Sequence, residues 1–200
     1  MQKTKGMNLP NKLTMFRMLC VIAIIALALI PFNSHVFYSN QGIEFDVKRL
    51  MILILFVIGS FSDFLDGYIA RKYNLITTFG KFMDPIADKL LVNTTFIIFT
   101  ALGEIPVIIT IIMIARDTIV DAIRLVMMDS KVVIAASKWG KAKTATQMVA
   151  LIVVLLLNFP LNNLNFNIGL ALSYLAAVIS LISGIDYFWK NRKTLLEGMN

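Results

Sequence analysis

The chain has 200 residues, of which 58% are hydrophobic and only 16% charged, and it carries a net charge of +7. A soluble domain of this length sits nearer half apolar, and a nucleic-acid binder spreads many more cations over a polar surface. This balance argues against both and indicates one membrane domain, residues 1–200, whose few cations face anionic lipid or phosphate. Cys20 is the only cysteine, which excludes an intrachain disulfide and a cysteine zinc site. His35, the only histidine, lies in a polar break and reads as a loop residue.

Lys3, Lys5 and Lys12 precede a first apolar run at 16–32. No small-residue cleavage site follows it and several further apolar runs do, so it reads as a retained span rather than a removed signal. Residues 7–14, interrupted by Pro10, are expected to lie along the interface within an N-terminal segment of about 1–15. Five more apolar runs follow at 50–70, 86–103, 105–127, 145–160 and 167–189, separated by polar breaks or breaks containing Gly and Pro. Most approach the length of a spanning helix, so the expected fold is all-α, with six transmembrane helices in one bundle. With the N-terminus inside, the cytoplasmic segments hold nearly all the Lys and Arg, and the outer segments hold only Lys48 and Arg49. That bias predicts a multi-pass protein of the cell membrane with both termini and the active site cytoplasmic.

The informative stretch runs from 63 to 88. Asp63, Asp66, Gly67, Ala70 and Arg71 recur at helical spacing, and Gly80, Asp84 and Asp88 follow at steps of four. Two helices would thus present four carboxylates to one cavity. Each such charge costs roughly 2.5–3.5 kcal/mol at the centre of a spanning helix. Bound cations would offset that cost, and carboxylate-only ligands select hard ions such as Mg²⁺ or Mn²⁺. A pair of such ions suits phosphoryl chemistry. Gly67 and Ala70 leave room for a ligand, and Arg71 is suited to a phosphate. A plainer reading makes Asp84 an N-cap with Pro85 at the first helical position, whereas a helix starting near Thr77 would place Pro85 in its interior. The cap accounts for Asp84 alone.

These eight fixed residues over 26 positions match the signature of the CDP-alcohol phosphotransferases, which the chain resembles over nearly its whole length. The resemblance implies a six-helix membrane bundle, usually a homodimer. It implies Asp63, Asp66, Asp84 and Asp88 as ligands of two Mg²⁺ or Mn²⁺ ions per active site, with Asp88 also the base that takes the acceptor's proton. It implies a CDP pocket formed by Asp66, Gly67, Ala70, Arg71, Thr77 and Gly80. Asn11, Thr14 and Arg17 resemble the family's N-x-x-T-x-x-R element, which helps bind CDP. The alternative is a polar interfacial segment with Arg17 snorkelling to water.

Three segments bear on the acceptor. Arg116 and Asp117 lie inside apolar sequence, with Asp121 and Arg124 within two turns. They form local ion pairs at i+3 or i+4, or else an arginine reaches the acceptor's phosphate. Lys138, Lys141 and Lys143 surround Gly140 in an expected basic loop, with Thr144 capping the fifth helix. Such a loop near anionic lipid needs no further function. Yet this loop and the stretch 81–90 resemble those of bacterial family members that make phosphatidylglycerophosphate. That resemblance implies CDP-diacylglycerol and sn-glycerol 3-phosphate as substrates, with Arg116, Lys138, Lys141 and Lys143 at the acceptor phosphate. An inositol-phosphate acceptor is the alternative within the family. A cation transporter is the alternative from another class, and the absence of a second aspartate motif in residues 100–200 argues against it.

Overall fold

The computed structural model describes residues 7–31, 35–40, 43–73, 75, 77–129, 138–157 and 167–197. The described residues include six helices: α1 (Leu9–Leu29), α2 (Val47–Lys72), α3 (Thr78–Ala101), α4 (Val107–Asp129), α5 (Lys138–Leu155) and α6 (Ile168–Glu197). Between α1 and α2 the chain forms two short strands, β1 (Val36–Asn40) and β2 (Ile43–Asp46). The chain divides into two compact units: Met1–Ile98 with Leu155–Asn163, and Phe99–Val154 with Leu164–Asn200.

In the first unit, α1 begins earlier than the apolar run suggests. The Asn8 side chain caps it by accepting the Asn11 N–H at 3.2 Å. Pro10 sits in the first turn, where a missing N–H costs nothing and a fixed φ favours the helix. Residues 9–15 are therefore the opening turns of α1, not a separate interfacial segment. The β1–β2 hairpin also departs from an all-α fold. It pairs Tyr38 with Phe45 and Ser39 with Glu44, and the Tyr38 and Phe45 rings stack at 4.9 Å. A lone two-stranded ribbon is marginal in water. Here it is anchored by the Tyr38 hydroxyl, which donates to the Leu156 carbonyl.

Asp46 caps α2 by accepting the Arg49 N–H at 2.8 Å. The next two cations then satisfy carbonyls that helix ends leave over. Lys48 Nζ reaches the Ala28 and Ile30 carbonyls at 3.2 and 3.3 Å, and buried Arg49 donates from Nε to the Leu155 carbonyl at 2.8 Å. Along α1 and α2, which pack together, Cys20, Val21, Ile24, Ile52 and Phe56 are buried. Cys20 is thus a packing residue. His35 is exposed, its ring 5.4 Å from that of Phe37.

α3 starts at Thr78, with Thr77 before it accepting the Gly80 N–H at 3.0 Å. Pro85 consequently lies inside the helix and deprives the Lys81 carbonyl of its usual donor. The N-cap reading of Asp84 is overturned, because Thr77 already closes the helix start. α3 ends in a Schellman turn. Gly103, at φ +78°, donates to the Thr100 carbonyl, and Glu104 donates to that of Phe99.

In the second unit α4 packs on α6, and Val120, Ile123, Met127 and Tyr187 form a buried cluster. α5 begins at Lys138, so Lys138, Lys141 and Lys143 belong to its first turns rather than to a loop. Thr144 is interior to α5, donating to the Gly140 carbonyl at 3.3 Å, and is not its cap. Residues 158–160 of the expected fifth span lie outside the described residues. Among the described residues three helical segments are long and apolar enough to cross a membrane: Leu9–Leu29, Val47–Ala70 and Ile168–Arg192. On α3 and α4 charges interrupt the apolar sequence, with Lys81, Asp84, Asp88 and Lys89 on α3 and Arg116, Asp117, Asp121 and Arg124 on α4.

Two glycines admit close approach within their units. A Cβ at Gly59 would lie 2.9 Å from Leu91 Cδ2, the tip of a side chain that can rotate away. A Cβ at Gly169 would lie 2.9 Å from Val154 Cγ2 and 3.1 Å from its backbone nitrogen, which cannot. Replacing helical Gly by Ala otherwise gains about 1 kcal/mol, while overpacking costs about 1–3 kcal/mol. In detergent, thermal unfolding should therefore show Gly59→Ala near neutral and Gly169→Ala clearly destabilised. The reverse order would contradict this packing.

Candidate active site

The site is built in the first unit, where α1 meets the aspartate motif of α2 and α3. Asp63 and Asp66 stand three apart on α2, and Arg17 of α1 reaches both: Nη1 lies 2.9 Å from Asp63 Oδ1 and Nη2 lies 2.7 Å from Asp66 Oδ2. Its Nε donates to the Gly59 carbonyl at 3.2 Å. The Arg17 side chain is 0% exposed, so it does not snorkel to water and the interfacial-anchor reading fails. Asp66 is 3% exposed, whereas Asp63 at 38% opens to solvent. One helical turn before Arg17, the Thr14 hydroxyl donates to Asp84 Oδ1 at 2.5 Å. One turn earlier again, Asn11 Oδ1 accepts the Thr77 hydroxyl at 2.9 Å.

Gly80 lets these elements converge. A Cβ there would lie 3.1 Å from Asn11 Oδ1, 3.2 Å from Thr77 Oγ1 and 3.5 Å from Asp84 Oδ2. The stripe of Asn11, Thr14 and Arg17 on α1 thus touches Thr77, Asp84, Asp63 and Asp66 in turn. Asp66 has Asp63 and Asp84 as electrostatic neighbours besides Arg17. Asp88 follows Asp84 by one turn of α3 and is half-buried, as are Gly67 and Ala70 on α2. The Arg71 side chain lies outside the described residues.

Among the described residues no three His, Cys, Asp or Glu side chains close into a ready cation cage. The carboxylates are held by Arg17 and Thr14 instead. Their chemistry still fits a hard cation. The motif supplies carboxylate oxygens only, and Asp63 and Asp66 share a single guanidinium.

The acceptor candidates lie in the second unit. Arg116 pairs with its neighbour Asp117 at 3.0 Å, and its Nη2 donates to Ser183 Oγ at 2.6 Å. Lys143 Nζ lies 2.5 Å from the same Asp117 oxygen, with both residues 5% exposed. Asp117 is thus paired at i+1 and across helices. Gly184 makes room for this pairing, since a Cβ there would lie 3.0 Å from Arg116 Cγ. Arg116 also borders a largely apolar groove of about 510 Å³, lined by Ile111, Ala115, Ile119, Leu181 and Phe188 among others. Lys138 and Lys141 are exposed and Arg124 lies over the Tyr187 ring at 5.6 Å.

Several partners were not singled out in the sequence. Asn8 was signalled only by its place two residues before Pro10, and it also donates to the Leu75 carbonyl at 2.9 Å. Gly59 stands one turn before Asp63, and the Ser183–Gly184 pair is a small-residue step in an apolar helix. Neither announces the arginine that packs on it.

The sequence profile of the CDP-alcohol phosphatidyltransferase family matches residues 7–182. A Bacillus subtilis protein is 38% identical over 189 residues, covering 94% of this chain and 97% of its own length. A Rickettsia bellii protein is 37% identical, covering 90% and 93%, and one from Haemophilus influenzae is 34% identical, covering 96% and 97%. All three are named CDP-diacylglycerol–glycerol-3-phosphate 3-phosphatidyltransferase.

The Asp117 cluster generates a stability test. Asp117→Asn removes the carboxylate charge that half-buried Arg116 and buried Lys143 share, and breaking a buried pair costs about 3–5 kcal/mol. Unfolding in detergent should show a loss of that order, with partial recovery in Asp117→Asn/Lys143→Met. Equal stability of Asp117→Asn and wild type would contradict the cluster.

Proposed function

Because the chain belongs to the CDP-alcohol phosphatidyltransferase family, we propose that it transfers the phosphatidyl group of CDP-diacylglycerol to sn-glycerol 3-phosphate, forming phosphatidylglycerophosphate and releasing CMP. One observation carries this reading. The aspartates of α2 and α3 gather on the polar stripe of α1, in a chain similar along nearly its whole length to enzymes of that name.

Asp63, Asp66, Asp84 and Asp88 are the residues suited to hold divalent cations, which we assign as two Mg²⁺ or Mn²⁺ ions. When bound, such ions withdraw charge from the phosphates and steady the departing CMP. Asp88 takes the proton of an acceptor hydroxyl, whose oxygen attacks the phosphorus that bears diacylglycerol as the bond to CMP breaks. Gly67, Ala70 and Gly80 leave space for the nucleotide beside Asn11 and Thr77, with Asp66, Thr14 and Arg17 at the base of the pocket and Arg71 assigned to a donor phosphate. Arg116, Lys138, Lys141 and Lys143 are assigned to the acceptor phosphate. In support, Arg116 and Lys143 converge on one carboxylate, that of Asp117.

The membrane arrangement follows the same pattern. We assign six spans, with both termini and the active site cytoplasmic, in the cell membrane, and a homodimer as the family resemblance implies. Charges inside spans are tolerated when paired, and Thr14–Asp84 and Arg116–Asp117–Lys143 supply such pairing on α3, α4 and α5. Lys48 and Arg49, the only cations of the outer segments, are engaged by main-chain carbonyls.

The test is CMP release by purified protein given CDP-diacylglycerol, Mg²⁺ and a panel of alcohols. Glycerol 3-phosphate should be used, and glycerol should be about a hundredfold worse because the cationic site is then left unpaired. EDTA should abolish turnover, as should Asp63→Asn and Asp84→Asn. Asp88→Asn should lower kcat by about 10²–10⁴-fold while donor binding changes less than about tenfold. Full activity in EDTA, or equal use of glycerol, would contradict the assignment.

A further inference from the structure

We propose that the groove of the second unit, lined by α4 and α6, is a docking site for one acyl chain of an anionic phospholipid of the surrounding bilayer, with Arg192 taking the lipid's phosphate. The occupant is a lipid of the membrane and not the donor substrate, and the site does not depend on the acceptor assigned above.

A pattern of side-chain size makes the groove. On α4, Ala115 stands one turn from Ile111 and one turn from Ile119, and on α6, Gly184 stands one turn from Leu181 and one turn from Phe188. Two positions with almost no side chain, each between bulky neighbours, leave a hollow of about 510 Å³. Arg116 is the charged residue on its wall, and its charge is turned away. Nη1 meets Asp117 at 3.0 Å and Nη2 meets Ser183 at 2.6 Å, both of them buried. Its Nε is buried and has no hydrogen bond among the described residues, so it offers the groove no accessible donor. What Arg116 does bring beside Gly184 is its aliphatic Cγ. The surface left is apolar and takes an apolar occupant.

Length decides between a lipid chain and a helix of another protein. The lining residues of α6 run from Leu181 to Trp189, which at 1.5 Å per residue is about 12 Å. A spanning helix would need a track close to the ~30 Å of the hydrocarbon core, whereas a chain from one leaflet needs less than half of that. The end of the groove fits a headgroup. Tryptophan settles at the border of hydrocarbon and water, and the segment of α6 apolar enough to cross a membrane ends at Arg192. Arg192 is exposed, with its guanidinium carbon 4.2 Å from the centroid of the Trp189 ring. Neighbouring Lys190 is met by Asp186 at 2.8 Å, while Arg192 has no carboxylate among the described residues. It is therefore the cation left for a phosphate. The aspartates suited to the donor's metal ions stand on α2 and α3, and none of them lines the groove.

The chain has two tryptophans, Trp139 and Trp189, so Trp139→Phe makes Trp189 the single fluorophore. The experiment reconstitutes this variant in mixed vesicles of phosphatidylglycerol and phosphatidylcholine, with brominated acyl chains on one lipid or the other, and reads the quenching of Trp189. Brominated phosphatidylglycerol should be preferred about fivefold over brominated phosphatidylcholine, the effect of one cation at the membrane surface. Arg192→Gln should bring the preference to about one and Arg192→Lys should keep it. Ala115→Phe, at an exposed position that fills the hollow, should also abolish it. A preference near one in the Trp139→Phe chain is ordinary bulk-lipid contact and overturns the inference, as does a preference that either Arg192→Gln or Ala115→Phe leaves unchanged. Absence of quenching by both lipids overturns it too, because a second copy would then cover the groove. Unbrominated CDP-diacylglycerol, without acceptor, should relieve the quenching at mole fractions within about tenfold of those of unbrominated phosphatidylglycerol. Relief at still lower fractions would make the groove the donor's chain site and overturn the inference.

Discussion

A guanidinium taken wholly out of water must be met by anions and hydrogen-bond acceptors, or it costs several kcal/mol. Arg17 is in that position, and the arrangement of the first unit follows from how its demand is met. Asp63 and Asp66 approach from one face of α2 because they are three residues apart, and the Gly59 carbonyl lies one turn earlier on the same helix. Gly59 is also where α2 meets the Leu91 side chain closely. Thr14 then falls one turn from Arg17 and meets Asp84, while Asn11 meets Thr77 at the start of α3. A single polar stripe on α1 therefore fixes which face of α2 and which end of α3 are brought to it.

The aspartates were legible in the sequence because helical phase is a local property: Asp63 and Asp66, or Asp84 and Asp88, share a face whatever surrounds them. The N-x-x-T-x-x-R element was legible as a pattern, but whether Arg17 sought water or carboxylate depended on what packed over it. The role of Asp84 turned on where α3 begins, and the capping hydroxyl of Thr77 settles that seven residues upstream. Apolar composition misplaced the starts of α1 and α5. The polar residues Asn11 and Thr14 in one, and Lys141 and Lys143 in the other, continue the helix, with Asn11, Thr14 and Lys143 facing inward. The hairpin was invisible because its four- and five-residue strands are held by Tyr38 and a carbonyl more than a hundred residues away.

Both units use the same means of keeping charge within apolar helices. In the first, one cation serves two carboxylates; in the second, one carboxylate, Asp117, serves two cations. The two arrangements are thus mirror images in charge, a cation between two carboxylates and a carboxylate between two cations.

The central claim is that Arg17 and Asp66 act as one buried unit that sets the geometry of the site. A double-mutant cycle on folding stability, with Arg17→Met and Asp66→Asn singly and together in detergent, measures it directly. Residues in one buried ionic network couple by about 0.5–3 kcal/mol, and this pair should lie near the upper end, with the double variant more stable than the sum of the single losses implies. Single losses that add to within about 0.3–0.5 kcal/mol, as for independent sites, would contradict the account.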